Sequence, residues 1–266
     1  MERTVITAVV TALLSGLSPL HAQETLTGKQ IVDASYEATK LAGSEAVATM
    51  IIRDEKGRER VRNVAQATKL CDNGETEKKL IRFLAPADVK GTGFLTFDYE
   101  DRDDDTWLYM PALRKTRRIV SSEKAKSFMG SEFSYADITR LNLDDFSYSP
   151  PVAETVSDTP CYKVEIIPLN DDIMDDNGFS KKVVWAGCDD YVIRKALYFD
   201  LDGELHKELE VRKIAELDTA GHKFKPTDMV MTNKQTGRQS MFVTEKISFN
   251  PDIKDEYFTT RYLERQ

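Results

Sequence analysis

The sequence predicts a mainly β protein of the α+β class, built on one meandering antiparallel sheet. Three observations predict it. From Ala46 onward, short runs of alternating or β-branched residues recur at regular intervals, each bounded by turn residues. Consecutive runs are joined by tight turns, Asp202-Gly203 and Thr236-Gly237 being the clearest, so neighbouring strands should run antiparallel. Helical periodicity is confined almost entirely to the start of the chain.

The elements follow in order. Thr27 is placed to cap a helix in which Ile31, Ala34, Ser35, Ala38 and Leu41 recur at three- and four-residue spacing until Gly43 stops it. Strands are expected over 46–53 and 58–69, separated by the turn Asp54-Glu55-Lys56-Gly57. The next covers 77–84 and is broken by Pro86. Residues 93–99 pair with 106–110 across the acidic tip 100–105, and 115–121 adds another strand. The second half offers strands over 161–168, 181–186, 191–200, 205–214, 226–233 and 239–249. Residues 255–263 read as a short helix or an extended arm. A second helix is expected around 134–143, with Ser134 and Asp137 at capping-box spacing. The two helices must cover one face of the sheet. Pro150-Pro151 is the best position for a hinge between halves, but no linker, repeat or low-complexity tract divides the chain, so 23–266 reads as a single domain.

The amino terminus points to export. Met1-Glu2-Arg3 precedes an uncharged stretch from Thr4 to Leu20, and Ala22 stands before the polar continuation, as in a cleaved signal peptide over 1–22. The alternative is a retained anchor, for which two serines, three threonines, a glycine and a proline make a poor span. The formal charge of −8, with 37 basic against 45 acidic residues, excludes nucleic acid as an expected partner. The three cysteines show no CxxC or Cys/His spacing, and no metal site or cofactor is expected. In an oxidising compartment an odd count suggests one disulfide and one free thiol. If 161–168 pairs with 181–188 so that Cys161 faces Cys188, those two are placed for the bridge and Cys71 is left over.

Motifs for catalysis are missing. There is no G-x-S-x-G, no H-E-x-x-H and no P-loop, and the acidic run 171–178 does not place ligands at EF-hand positions. That run and 103–105 read as solvated hairpin tips. No enzymatic activity is expected.

The unusual feature is apolar content on both faces of one hairpin. Leu95, Phe97 and Tyr99 share a face with Trp107 and Tyr109, with Tyr99 expected opposite Trp107 and Phe97 opposite Tyr109. Phe94, Leu108 and Met110 occupy the other face. A sheet covered on both sides produces this pattern, and so does a sheet with one face lining an apolar cavity. The segment 127–138 adds Phe128, Met129, Phe133 and Tyr135 to serines, Gly130 and Asp137, turn chemistry carrying core side chains. It reads as a plug or lid over such a concavity. The basic cluster Arg114, Lys115, Arg117 and Arg118 fits either anionic headgroups or ordinary solvated strand charge.

Between Thr106 and Asp137 the chain resembles a known family. The runs Trp107-Leu108-Tyr109-Met110-Pro111-Ala112, Lys115-Thr116-Arg117-Arg118-Ile119 and Ser127 to Asp137 are similar to the LolA-like outer-membrane lipoprotein-sorting proteins. So are Lys182-Val183-Val184-Trp185, Leu197-Tyr198-Phe199-Asp200 and the terminal Phe258 to Arg265. The resemblance implies a curved, half-open antiparallel barrel with its concave side plugged by helix and loop. It implies a periplasmic carrier of a lipid or lipoprotein acyl chain, with association to membrane transporters of the resistance-nodulation-division type. The candidate cavity and lid residues are then Leu95, Phe97, Tyr99, Trp107, Tyr109, Phe128, Met129, Phe133 and Tyr135. Two other classes stand beside the carrier: a transporter accessory protein that holds no lipid, and a hydrolase with a scattered site.

Overall fold

The computed structural model describes residues 26–100 and 102–265. The leader expected over 1–22 lies outside them. The amino-terminal helix α1 spans Gly28–Thr39, and its first turn is closed by a reciprocal cap. Thr27 accepts from the Gln30 backbone while the Gln30 side chain accepts from the Thr27 N–H. Its buried face is Gly28, Ile31, Val32 and Ser35, so Val32 takes the place expected for Ala34 and Ala38.

The first run of strands comprises β1 (Gly43–Arg53), β2 (Glu59–Cys71), β3 (Thr76–Ala85), β4 (Gly93–Tyr99), β5 (Asp105–Met110) and β6 (Lys115–Arg118). The second comprises β7 (Phe146–Tyr148), β8 (Val152–Val156), β9 (Thr159–Pro168), β10 (Lys181–Gly187), β11 (Ile193–Phe199), β12 (Leu205–Asp218), β13 (Lys223–Asn233) and β14 (Gln239–Phe249). Two short helices complete the set, α2 (Asp171–Asn177) and α3 (Thr260–Leu263). All fourteen strands join one antiparallel sheet in the order β6-β5-β4-β3-β2-β1-β14-β13-β12-β11-β10-β9-β7, with β8 also on β9. The sheet is open, and register shifts in β1 against β14 and in β12 against β13 help it curl.

Three local features differ from the sequence expectation. The run 171–178 is a helix rather than a bare tip: Asn170 accepts from the Ile173 N–H, Asp171 and Asp172 favour the positive amino end, and Gly178 closes it in the left-handed region. Pro150-Pro151 is no hinge. It interrupts an edge, where β7 and β8 pair in turn with β9 and the missing N–H groups cost no ladder bond. The helix expected around 134–143 reduces to one turn. Ser134 and Asp137 do form the reciprocal cap, but the Ile138 N–H closes a tight turn on the Tyr135 carbonyl, the Leu141 N–H donates to the Tyr36 hydroxyl instead of a helical carbonyl, and no further turn follows.

The disulfide is also absent. Cys161 lies opposite Gly187, one residue out of the expected register, and all three cysteines are free thiols. A one-residue slip reverses the face. Cys161 therefore packs with Val183 and Trp185 on the outer side, whereas Cys188 lies beyond the strand end on the inner-facing phase.

The inner face of the sheet carries two apolar clusters. One lies on β9–β13 and is covered by α1, through Ile31 and Val32 against Val164, Ile166, Val184 and Met231. The other lies on β1–β5 and is covered by the segment 119–138, through Ile119, Phe128 and Tyr135 against Val64, Phe83, Phe94 and Leu108. The outer face of β2–β5 is covered by the carboxyl-terminal segment, where Ile253, Phe258 and Leu263 pack on Ala67, Leu80, Leu95 and Tyr109. Gly93 permits that contact, because a Cβ there would stand 2.5 Å from Leu263 Cδ1.

Candidate functional site: an inner-face cavity under a polar-anchored cover

Between the two inner clusters the sheet is not filled. A cavity of about 360 Å³ remains, bounded by β1–β3, β10–β14, α1 and residues 128–141. That volume lies within the ~300–1,000 Å³ of ligand pockets. Met50, Ile81, Met229, Met231, Phe242 and Ile247 supply apolar wall, and the methionines can adapt to an irregular occupant.

The cover over the β1–β5 half is a hairpin-like loop. Ser127 and Ser134 form a bridge, Phe128 and Phe133 are joined by a backbone hydrogen bond of 2.7 Å, and Met129-Gly130 turn the chain with φ of 54° and 76°. The second angle suits glycine; the first is uncommon for a methionine. Phe128 holds the loop down by its ring, with centroids 5.9, 5.6 and 5.7 Å from Phe83, Phe94 and Tyr135.

Polar bonds anchor the same loop to both halves of the sheet. Arg62 donates to the Met129 carbonyl. Lys79 Nζ donates to the Ile138 carbonyl at 2.7 Å. The Glu132 N–H donates to Ser240 Oγ at 2.9 Å, and its carboxylate pairs with Arg238 at 2.9 Å. The Tyr198 hydroxyl donates to Asp137 Oδ1 at 2.9 Å.

Ionisable groups stand at the cavity border and just behind it. Lys79 lies 3.8 Å from Glu77 and 3.6 Å from Asp98. Burial opposes its charge, yet those two carboxylates hold the amine above its ordinary value. Burial likewise opposes the Glu77 charge, but Lys79 and Lys225 hold it below the usual carboxylate range. For Asp98 burial wins over Lys79, and its pKa is pushed up to about 7. Tyr36, whose hydroxyl accepts from the Leu141 N–H at 3.2 Å, is raised by burial to about 12. Among the described residues no group of His, Cys, Asp and Glu could hold a metal ion, and no helix is long and apolar enough to cross a membrane.

The sequence-selected residues divide between the two faces. Phe128 and Phe133 border the cavity, and Tyr135 and Met129 pack in the cover beside them. Leu95, Phe97, Trp107 and Tyr109 lie on the opposite face, in or against the cluster covered by the carboxyl-terminal segment. Tyr99 lies on that face too, its hydroxyl 3.2 Å from Asp105. The register is Leu95 opposite Trp107 and Phe97 opposite Asp105, four residues from the pairing expected. An even shift preserves the shared face, but that face is the outer one. The residues that sequence reasoning missed are Lys79, Lys182 and Lys225. Lys182 follows the phase of Val184 and Ala186, both buried on the inner face, and that alternation was the available signal.

A family model described as "Uncharacterized protein"-like matches residues 75–265. No curated protein matches the sequence. Among solved structures, an outer membrane lipoprotein-sorting protein domain from Vibrio parahaemolyticus aligns with a TM-score of 0.80 at 28% identity, covering 90% of this chain and 98% of that one. A DUF1329 family protein from Desulfovibrio piger aligns with a TM-score of 0.79 at 28% identity, covering 89% and 97%. A LolA superfamily protein from Nitrosomonas europaea shares the fold, with a TM-score of 0.66 at 18% identity over 89% of this chain and 99% of that one. That family model spans most of the chain, so the chain belongs to the family it describes, and the open antiparallel sheet with a helix and a loop on its inner face is a LolA-like fold.

Proposed function

We propose that the protein is an exported, periplasmic carrier that shields an acyl chain of a lipid or lipoprotein, for outer-membrane lipoprotein sorting or lipid transport. The observation that carries the reading is the unfilled inner-face cavity, walled by apolar side chains and covered by a separately anchored loop. Burying apolar surface is worth about 25 cal/mol per Å², so an alkyl chain is held there without covalent chemistry. The role is non-catalytic. Transfer requires a membrane component, for which a transporter of the resistance-nodulation-division type is the expected partner, and affinity capture from the native envelope tests that pairing.

The cavity itself is tested by filling it. Ala46 borders it on β1, opposite Ile247 and Gln66, which border it too. Ala46→Trp should leave the fold intact and abolish uptake of a fluorescent fatty acid. Undiminished uptake by a folded Ala46→Trp variant would remove this cavity as the binding site.

A further inference from the structure

The cavity is far more cationic than the molecule around it. The chain carries a net −8. Yet the charged side chains bordering the cavity are four cations, Lys79, Arg140, Lys182 and Lys225, against two carboxylates, Glu77 and Asp137. Three of the cations have local partners. Arg140 is engaged by Asp33 at 2.8 Å and Glu100 at 2.9 Å. Lys79 is held by Glu77, Asp98 and the Ile138 carbonyl. Lys225 reaches Glu77 at 3.8 Å.

Lys182 is different. Among the described residues no carboxylate lies within salt-bridge distance of its Nζ and no acceptor within hydrogen-bond distance; its neighbour is the Tyr198 ring, 4.7 Å away. Asp137, the one acid that acts on it electrostatically, is already committed. Its Oδ1 accepts from Tyr198, and its Oδ2 accepts from both the Ser134 N–H at 2.8 Å and the Ser134 hydroxyl at 2.9 Å. Burial pushes the Lys182 amine below its ordinary value. Lys182 is half-buried, and an ammonium partly withdrawn from water and left unpaired carries a desolvation cost that a bound counter-charge offsets.

We infer that the cargo is an acidic amphiphile, whose carboxylate or phosphate headgroup pairs with Lys182 while its alkyl chain runs along Met231, Phe242, Met50 and Ile247. Leu209 and Met231 connect the two regions, because they stand on the strands between β11 and β14. This rests on the carrier reading and narrows it from any acyl chain to one bearing an anionic head.

The test is competition for a neutral fluorescent alkyl probe bound to the full mature chain at pH 8, using hexadecanoate, hexadecyl phosphate and hexadecanol. Charge-assisted hydrogen bonds predict that an acid outcompetes the alcohol by about tenfold or more. The better of the two acids identifies the headgroup. Lys182→Met should erase that advantage and leave hexadecanol binding unchanged, while Lys182→Arg retains it. Equal binding of acids and alcohol by the wild type overturns the headgroup assignment and leaves the carrier reading standing. No binding of probe or competitor overturns both. The wild-type rank order decides the matter even if Lys182→Met does not fold.

Discussion

Replacing Phe128 by alanine tests whether the cover is part of the core or rests on it. The side chain is 3% exposed and meets three aromatic rings, those of Phe83, Phe94 and Tyr135, at 5.6 to 5.9 Å. Buried Phe→Ala changes cost about 3–5 kcal/mol, from lost transfer energy and the cavity left behind. For a domain of this size each kcal/mol lowers Tm by about 2–4 °C, so the expected fall is about 6–20 °C. Denaturant unfolding should show a lower midpoint with an unchanged slope. The polar anchors through Lys79, Ser240 and Asp137 remain, so the loop should loosen rather than leave, and fluorescent fatty acid should enter and exit faster. A loss below about 1 kcal/mol, with unchanged uptake kinetics, would refute the account of the loop as a packed cover.

Four further outcomes follow from particular contacts. Leu95→Trp should destabilise the protein by overcrowding the carboxyl-terminal cluster, without reducing ligand capacity, since Leu95 lies on the outer face; an intact fold with lost uptake would reverse the assignment of faces. Asp98 has a folded pKa of about 7 against an ordinary 3.8, so its contribution to stability is present at low pH and is lost as pH rises through 7. Asp98→Asn should therefore gain on the wild type between pH 4 and pH 8 in urea titrations, and a difference independent of pH counts against this. Asp137→Ala strips the acceptor from the buried Tyr198 hydroxyl and the cap from Ser134, costing about 1–3 kcal/mol for the hydroxyl alone. Alkylation of the unfolded, unreduced protein should label Cys71, Cys161 and Cys188 alike; a mass two units low with Cys161 and Cys188 unlabelled would contradict the observed register.

The strands and their faces were legible because period-two alternation survives errors in pairing. The 93–99 and 105–110 hairpin shows this: its register moved by four residues and every side chain kept its face. The cysteine hairpin shows the converse, since a single residue of slip separated Cys161 from Cys188. Which face is inner was not legible. Both faces of β4 and β5 are apolar, and the choice depends on where residues 253–263 and 119–138 dock, contacts made far along the chain. The plug was visible in the aromatic content of 127–138, but its anchors were not, because Arg62, Lys79 and Ser240 look like solvent-facing strand residues when only their own strands are considered. The edge strands β7 and β8 were hidden by Pro150-Pro151, whose turn chemistry also suits a strand edge.

On the proposed function, the inner-face cavity holds an acyl chain in the cell. Purification from the native envelope without detergent, followed by organic extraction and mass spectrometry, tests it most directly. About one equivalent of co-purified acyl lipid is expected, much diminished in Ala46→Trp. Protein that emerges empty, and takes up no fluorescent fatty acid afterwards, would contradict it.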